Sequence, residues 1–570
     1  MTTFNGVGVS PGRVVGRVRQ MPPTVSEPPA GLPLAEGTTP EQAVAQLKTA
    51  AAAVQSALRE RASGASGDAK AVLEATALMA ADPMLIKAAT KQIESGAAAE
   101  RALWEAAEGV ASMLLQLGGY MAERSRDVYD VRARIVAELR GVPAPGIPDS
   151  AEPFILLAED LAPADTATLD PRKVLALVTA DGGPQSHTAI IARALGLPAV
   201  VAASGVRAIP DETEVYVDGT AGSLSTDVGP AELSAAQDWT AQVSRLSSFE
   251  GQGALSDGTP VPLLANVGNA AEAAAAAQAG ADGVGLFRTE FLFLDREAEP
   301  SAEEQAAAYR GVFDAFPGKK VVVRTLDAGA DKPLPFLSSS DEPNPALGVR
   351  GYRTDHYRRE PAVPGVLARQ LSAIAAAAAA GTAEVWVMAP MVATPVEAAR
   401  FGRLCQDAGL KTAGVMIEVP SAALSTRHIM KHVDFASLGT NDLTQYTMAA
   451  DRQLGPLAEL NDPWQPAVLS LIAVACNAAQ QSAVEQSTEK PVGVCGEAAA
   501  DPALAVVLVG LGVHTLSMTA RAIPAVAAVL QTVSLEQARQ IAAEALQQES
   551  AAAARASARA KLPVLEELGL

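Results

Sequence analysis

Apolar and polar positions change rhythm several times along this chain. Between residues 4 and 20, Val and Gly occur in short alternating runs, which predicts strands and turns. A Pro-rich stretch, Met21 to Pro40, follows. From Glu41 to Arg140 the pattern becomes helical: Leu103, Val110, Leu114, Leu117 and Met121 recur at helix spacing, and Asp82-Pro83 supplies a helix start. Strand-like runs return at Phe154-Ile155-Leu156-Leu157, Val174 to Val178, Ala199-Val200-Val201 and Glu214-Val215-Tyr216-Val217. The simplest organisation is one α/β domain whose chain leaves after the first strands, builds a helical subdomain, and returns near residue 145. After Gly229-Pro230 a helix is expected to about Leu246, and the Gly- and Ser-bearing segment Ser247 to Gly258 reads as a linker.

Beyond the linker come short apolar or β-branched runs at Leu263 to Val267, Val284 to Phe287, Val321 to Thr325 and Val385 to Met388. Four more occur at Val415 to Val419, Phe435 to Gly439, Val492 to Cys495 and Thr515 to Met518. Most are separated by Ala-rich segments of helix length. Strands alternating with helices in this number fit a (β/α)8 barrel of the TIM type, with an open doubly wound sheet as the alternative. The C-terminal segment Glu549 to Lys561 is expected to be a surface helix with a loose end.

Composition narrows the class. The chain has 570 residues, 49% hydrophobic and 19% charged, which suits several globular domains and argues against disorder. Its 44 Lys and Arg against 64 Asp and Glu give a formal charge of −20, so broad contact with nucleic acid is disfavoured and any anion site must be built locally. Three cysteines rule out a disulfide framework. The start lacks the basic and apolar regions of a signal peptide, and the longest alanine-rich stretch, Ala373 to Ala380, is too short to span a bilayer. The expectation is a cytoplasmic protein without membrane insertion.

In a barrel, reactive groups sit at the C-terminal ends of strands. Those positions carry Arg288-Thr289-Glu290, Arg324 to Asp327, Glu418, Gly439-Thr440-Asn441-Asp442 and Cys495-Gly496-Glu497, with Lys332 and Arg350 in the loop after the third run. Together with Arg452, these cations suit a ligand bearing phosphate and carboxylate, although each Arg could instead pair with a neighbouring Asp or Glu. Glu418 and Asp442 are oxygen donors for a divalent cation such as magnesium, or members of structural ion pairs. The thiol of Cys495 suits a proton donor, and burial as a small apolar group is the alternative. In the first half, Gly182-Gly183 precedes His187 at an expected helix start, where backbone N–H groups can receive a phosphoryl group.

Gly182-Gly183 to His187, Arg288-Thr289-Glu290, Arg324 to Lys332, Asn344 to Arg350, Gly439 to Tyr446 and Val494 to Glu497 resemble, in fixed order and almost end to end, enzyme I of the phosphoenolpyruvate:sugar phosphotransferase system. The resemblance implies autophosphorylation of His187 at Nε2 from phosphoenolpyruvate, release of pyruvate, and transfer to the carrier protein HPr. It implies substrate contacts at Arg288, Arg324, Asn441, Asp442 and Arg452, with Lys332 and Arg350 as further ones. It also implies Mg2+ on Glu418 and Asp442 and proton donation by Cys495. The implied domains are a swivelling phosphohistidine α/β domain (1–20 and 145–229), an inserted helical HPr-binding subdomain (21–144), a helical hinge (230–258) and a barrel that binds phosphoenolpyruvate and forms a homodimer (259–570). The chain departs from the family pattern at Pro184 and Gln185, and at Ala162, which bear on the imidazole's hydrogen bonding. Pyruvate phosphate dikinase and phosphoenolpyruvate synthase share the histidine domain and barrel but need an ATP-grasp domain, for which the chain has no room. The nitrogen-type enzyme I carries an N-terminal sensory domain, whereas strands here begin by residue 4. An inactive scaffold that binds HPr or pyruvate is disfavoured by the intact His187, Glu418, Asp442 and Cys495.

Overall fold

A computed structural model of the chain describes all residues except 1, 23–24, 65–75, 118–124, 145, 149, 151, 162–168, 183–187, 190–191, 193–194, 247–252, 295, 297, 330–333, 335, 338–341, 357–364, 453–454 and 569. His187, Lys332, Ala162, Pro184, Gln185, Met121 and the first part of the expected linker therefore lie outside the described residues. The chain divides into two compact units, Met1–Trp239 and Thr240–Leu570.

The first unit is built on strands β1 (Thr3–Asn5), β2 (Val7–Ser10), β3 (Arg13–Gln20), β4 (Phe154–Ala158), β5 (Val174–Thr179), β6 (Ala199–Val201), β7 (Glu214–Asp218) and β8 (Ser223–Ser225). They form one sheet in the order β1-β8-β7-β3-β4-β5-β6-β2. Its centre is parallel, with Val18 opposite Ile155 and Leu177 opposite Ala199. The flanks β7, β8, β1 and β2 pair antiparallel. Side chains alternate across the sheet: Phe154, Leu156 and Ala158 enter one core, Ile155 and Leu157 the other. Burial on both faces explains why β4 is apolar throughout rather than alternating.

Between β3 and β4 the chain forms helices α1 (Pro40–Gly64), α2 (Pro83–Glu94), α3 (Ala99–Leu117) and α4 (Ser125–Arg140), which share a separate core. Asp82 caps α2 by accepting from the N–H of Met84 at 2.6 Å, with Pro83 in the first turn. On α3 the deeply buried residues are Ala102, Leu103, Ala106, Ala107 and Ala111, while Val110 and Leu114 are partly covered. The apolar spacing thus located the helix, but small side chains decide which face its neighbours approach.

The second unit contains β9 (Leu263–Val267), β10 (Val284–Arg288), β11 (Lys320–Arg324), β12 (Glu384–Ala389), β13 (Ala413–Ile417), β14 (Phe435–Leu438), β15 (Val492–Val494) and β16 (Thr515–Met518). All pair in parallel and close into a barrel. This is the (β/α)8 alternative, not the open sheet. Val321 and Val323 point outward into the core shared with the helices, and Val322, Met388 and Met416 fill the interior.

Among the described residues one helical stretch, Glu459–Gln486, has the length and apolar composition to cross a membrane. Here its face Val468, Leu469, Ile472, Ala475 and Ala479 is buried in the barrel unit's core. The C-terminal region differs from its expected loose end. Helix Ala551–Ala560 buries Ala551, Ala554 and Ala558, and beyond it Leu562 and Leu565 are each 1% exposed. Small residues at helical spacing let this helix lie close against Leu535–Leu546, and that packing anchors the last turns of the chain.

Candidate active site at the barrel mouth

Two-residue periodicity along the strands delivers the charged groups to the barrel mouth. On β11, Val322 points inward, so Arg324 at the strand's end does too. On β13, Met416 points inward and Glu418 comes two residues later. Arg288 ends β10 and is exposed, whereas Arg324, Arg350, Glu290, Asp327, Glu418 and Asp442 are all buried.

These buried charges form one network. Arg324 pairs with Glu290 and, through Nη1 at 3.2 Å, with Asp327. Arg350 donates from Nε and Nη2 to the two oxygens of Asp327, each at 3.0 Å. Its Nη1 and Nη2 also donate to Asp442 at 2.8 and 3.2 Å, so one guanidinium clamps two carboxylates. Arg452, less buried, reaches Asp442 at 3.5 Å. Burial alone would lower the pKa of Arg324 and Arg350, but the charges of Glu290, Asp327 and Asp442 outweigh it and hold both cations firmly protonated.

Glu418 is different. Its Oε1 accepts from the backbone N–H of Met391 at 2.6 Å, while its Oε2 is buried with no hydrogen-bond partner among the described residues. Burial first, then the charges of Asp442 and Asp327, push this carboxyl up to about 8. The residue donating to it, Met391, has φ +62°, a left-handed conformation that a side chain disfavours. Space is tight as well: a Cβ on Gly439 would lie 2.5 Å from Glu418 Oε2. The buried hydroxyl oxygen of Thr440 also lacks a partner among the described residues. An unpartnered carboxylate oxygen beside further carboxylates is what a hard cation would relieve, and Glu418 and Asp442 offer the oxygen donors it prefers. Among the described residues no group of three or more His, Cys, Asp or Glu is assembled to hold a metal. Substrate oxygens or water would therefore have to complete the coordination.

Cys495 directly follows β15 and faces the interior beside Met416 and Phe435. Burial pushes its thiol up to about 11, against a smaller opposing effect of a hydrogen bond with Ser437, so it is protonated at neutral pH. Glu418, Arg324 and Arg288 also act electrostatically on this thiol. Asn266 donates to the carbonyl of Cys495 at 3.1 Å and accepts from the Ser517 hydroxyl at 2.6 Å, which fixes the turn that carries the thiol. Cys405 and Cys476 are buried thiols outside this site, as small apolar residues.

In the first unit, Gly182 has φ +94° just before the undescribed segment that includes His187. Thr188, fully buried, donates to Asp160 at 2.9 Å, and the same carboxylate accepts from the N–H of Leu161.

The structure thus brings together Arg324, Arg350, Glu418, Asp442, Arg452 and Cys495. The sequence placed Glu290 and Asp327 among the strand-end residues without a role, and did not single out Met391 or Gln370. Glu290 and Asp327 follow the strand-end residues Arg288 and Arg324 by two and three positions. Nothing local marked Met391 or Gln370, whose roles come from the fold.

Comparison with known proteins extends over almost the whole chain. Residues 5–124 match the N-terminal domain of PEP-utilising enzymes, 150–222 their mobile domain, and 244–535 their PEP-binding domain. A phosphoenolpyruvate-protein phosphotransferase of Streptomyces coelicolor is 52% identical over 98% of this chain and 99% of its own length. Proteins of the same name from Haloferax volcanii (39% identical; 96% of this chain, 98% of theirs) and Haemophilus influenzae (34%; 89% and 89%) are also similar.

Proposed function

The chain belongs to the phosphoenolpyruvate-protein phosphotransferases, within the PEP-utilising enzymes, and from that premise we propose that it phosphorylates itself on His187 from phosphoenolpyruvate, releases pyruvate, and passes the phosphoryl group to HPr as the first step of sugar uptake. The observation that carries this reading is the protonated, inward-facing thiol of Cys495 in the electrostatic reach of Arg288, Arg324 and Glu418. A reaction that leaves an enolate beneath a phosphate needs that combination.

In this mechanism Arg288, Arg324 and Arg452 neutralise the phosphate and carboxylate of the substrate, with Asn441, Asp442 and Lys332 completing its contacts. Arg288 is exposed and Nε of Arg324 has no partner among the described residues, which leaves both with capacity for a ligand. Arg350 is occupied by Asp327 and Asp442, so it serves the substrate by holding Asp442 in place. Glu418 and Asp442 hold Mg2+, which when bound supplies charge neutralisation for phosphoryl transfer. His187 Nε2 takes the phosphoryl group in line, and Cys495 Sγ gives a proton to carbon three of the enolate, yielding pyruvate.

The helical subdomain (21–144) receives HPr, the α/β domain (1–20 and 145–229) carries His187 and swivels on residues 230–258, and the barrel (259–570) forms the homodimer. The setting of such a carrier relay is cytoplasmic. Incubation with phosphoenolpyruvate and Mg2+ should place an acid-labile, base-stable phosphate on the peptide containing His187. A His187→Ala protein should fold and take up none; uptake by it at the wild-type rate would refute the assignment.

A further inference from the structure

Gln370 lies on helix Val366–Ala379, outside every motif that marks the active site, and is fully buried. Its amide is completely used. Oε1 accepts from the backbone N–H of Leu326 at 2.9 Å, and Nε2 donates to the Thr289 hydroxyl at 3.0 Å and to the Tyr309 hydroxyl at 3.2 Å. The orientation of the amide is fixed by chemistry, because a backbone N–H can only donate and must face the carbonyl oxygen. Thr289 passes its own hydrogen to the carbonyl of Arg324 at 2.9 Å, and Tyr309 passes its hydrogen to Gln305 at 3.1 Å.

Two turns meet at this amide. Thr289 sits between Arg288 and Glu290 in the turn after β10, and Leu326 sits between Arg324 and Asp327 in the turn after β11. We propose that Gln370 is a positioning residue for phosphoryl transfer, locking these two turns so that the guanidinium groups of Arg288 and Arg324 keep a fixed separation. This rests on the assignment of those arginines to the substrate. A long, flexible cation holds a phosphate well only if its backbone is fixed, and the Gln370 amide ties both backbones to one rigid helix through Thr289 and Leu326.

The test is steady-state kinetics of phosphoenolpyruvate-dependent phosphorylation, with melting curves run on the same preparations. At a temperature where the protein is folded, Gln370→Met should lower kcat/KM for phosphoenolpyruvate by about 10- to 100-fold, with KM raised as well as kcat lowered. Thr289→Val should act in the same direction, and the double variant should be no worse than the poorer single one, since both cut one chain. Gln305→Met, at the far end of that chain, should lower the melting temperature yet change kcat/KM by less than about threefold. If Gln370→Met does not fold, Gln370→Glu keeps the acceptor for Leu326 while losing the donor to Thr289, and its loss of kcat/KM decides instead. A folded Gln370 variant with unchanged kcat/KM, or additive losses in the double variant, overturns the proposal. Arg288→Ala separates the two levels: if it leaves phosphoenolpyruvate kinetics untouched, the substrate assignment itself has failed.

Discussion

The two ends of strand β11 present opposite solutions to placing a cation inside a barrel. Lys320, Val322 and Arg324 share one face. At the N-terminal floor the Lys320 ammonium lies 3.8 Å from the centre of the Trp386 ring, which in turn packs at a tilt against Phe435 with ring centres 4.8 Å apart. At the C-terminal mouth Arg324 enters a network of buried carboxylates. The floor uses its cation as a lid over aromatic packing and keeps it half in water. The mouth buries its charges in a network whose guanidinium groups are shared between carboxylates, which is an expensive way to stabilise a fold. Such an arrangement persists where charge is to be met by charge, so the contrast assigns stability to one end of the barrel and chemistry to the other.

Arg350→Met should break this contrast most severely. It leaves buried Asp327 to Arg324 and Asp442 to the longer contact with Arg452, and chemical denaturation should show a loss of about 3–5 kcal/mol. A loss near that of an exposed pair would mean that water already reaches the network.

Cys495→Ala should affect chemistry and spare stability. Pyruvate formation from phosphoenolpyruvate should slow by about 100-fold or more, while phosphate exchange between preloaded HPr and His187 is preserved. Loss of that half-reaction would contradict a role confined to proton donation. The pH dependence has a definite sign. Folding raises this thiol from its ordinary 9.0 to about 11, so the folded state holds the proton more tightly. The associated stability is complete below pH 9 and disappears as pH climbs through 11. Thiolate absorbance in the wild type minus that in the variant should therefore be absent at pH 9.

Lys320→Met should have the smallest effect. Loss of the cation over Trp386 should lower stability by about 0.5–1 kcal/mol and leave turnover unchanged. A change in turnover would show that floor and mouth are coupled.

Much of this was legible in the chain. The eight barrel strands announced themselves because parallel strands buried on both faces are written as short, mostly apolar runs, here broken only by single residues such as Asn266, Gly285 and Ser437. Arg324, Glu418 and Cys495 could be located by counting from strand ends. The pairing of charges could not be read, since Arg350 meets Asp327 and Asp442 only when the segments after β11 and β14 converge. Nor could the burial of Ala102 or Ala554 be anticipated, because alanine serves equally in a core and on a surface. Gln370 was invisible for a related reason: a glutamine in an alanine-rich helix carries no local sign of its partners.

The placement of the helical insertion between β3 and β4 has a consequence for the modularity of the protein. These strands are parallel neighbours, Val18 opposite Ile155, and a parallel pair asks of its connection only a crossover of about a dozen residues. Everything the insertion contains beyond that minimum is surplus to the sheet. Its helices can be exchanged, lengthened or redecorated by selection, or by grafting in the laboratory, without rewriting a single rung of the ladder from which they depart.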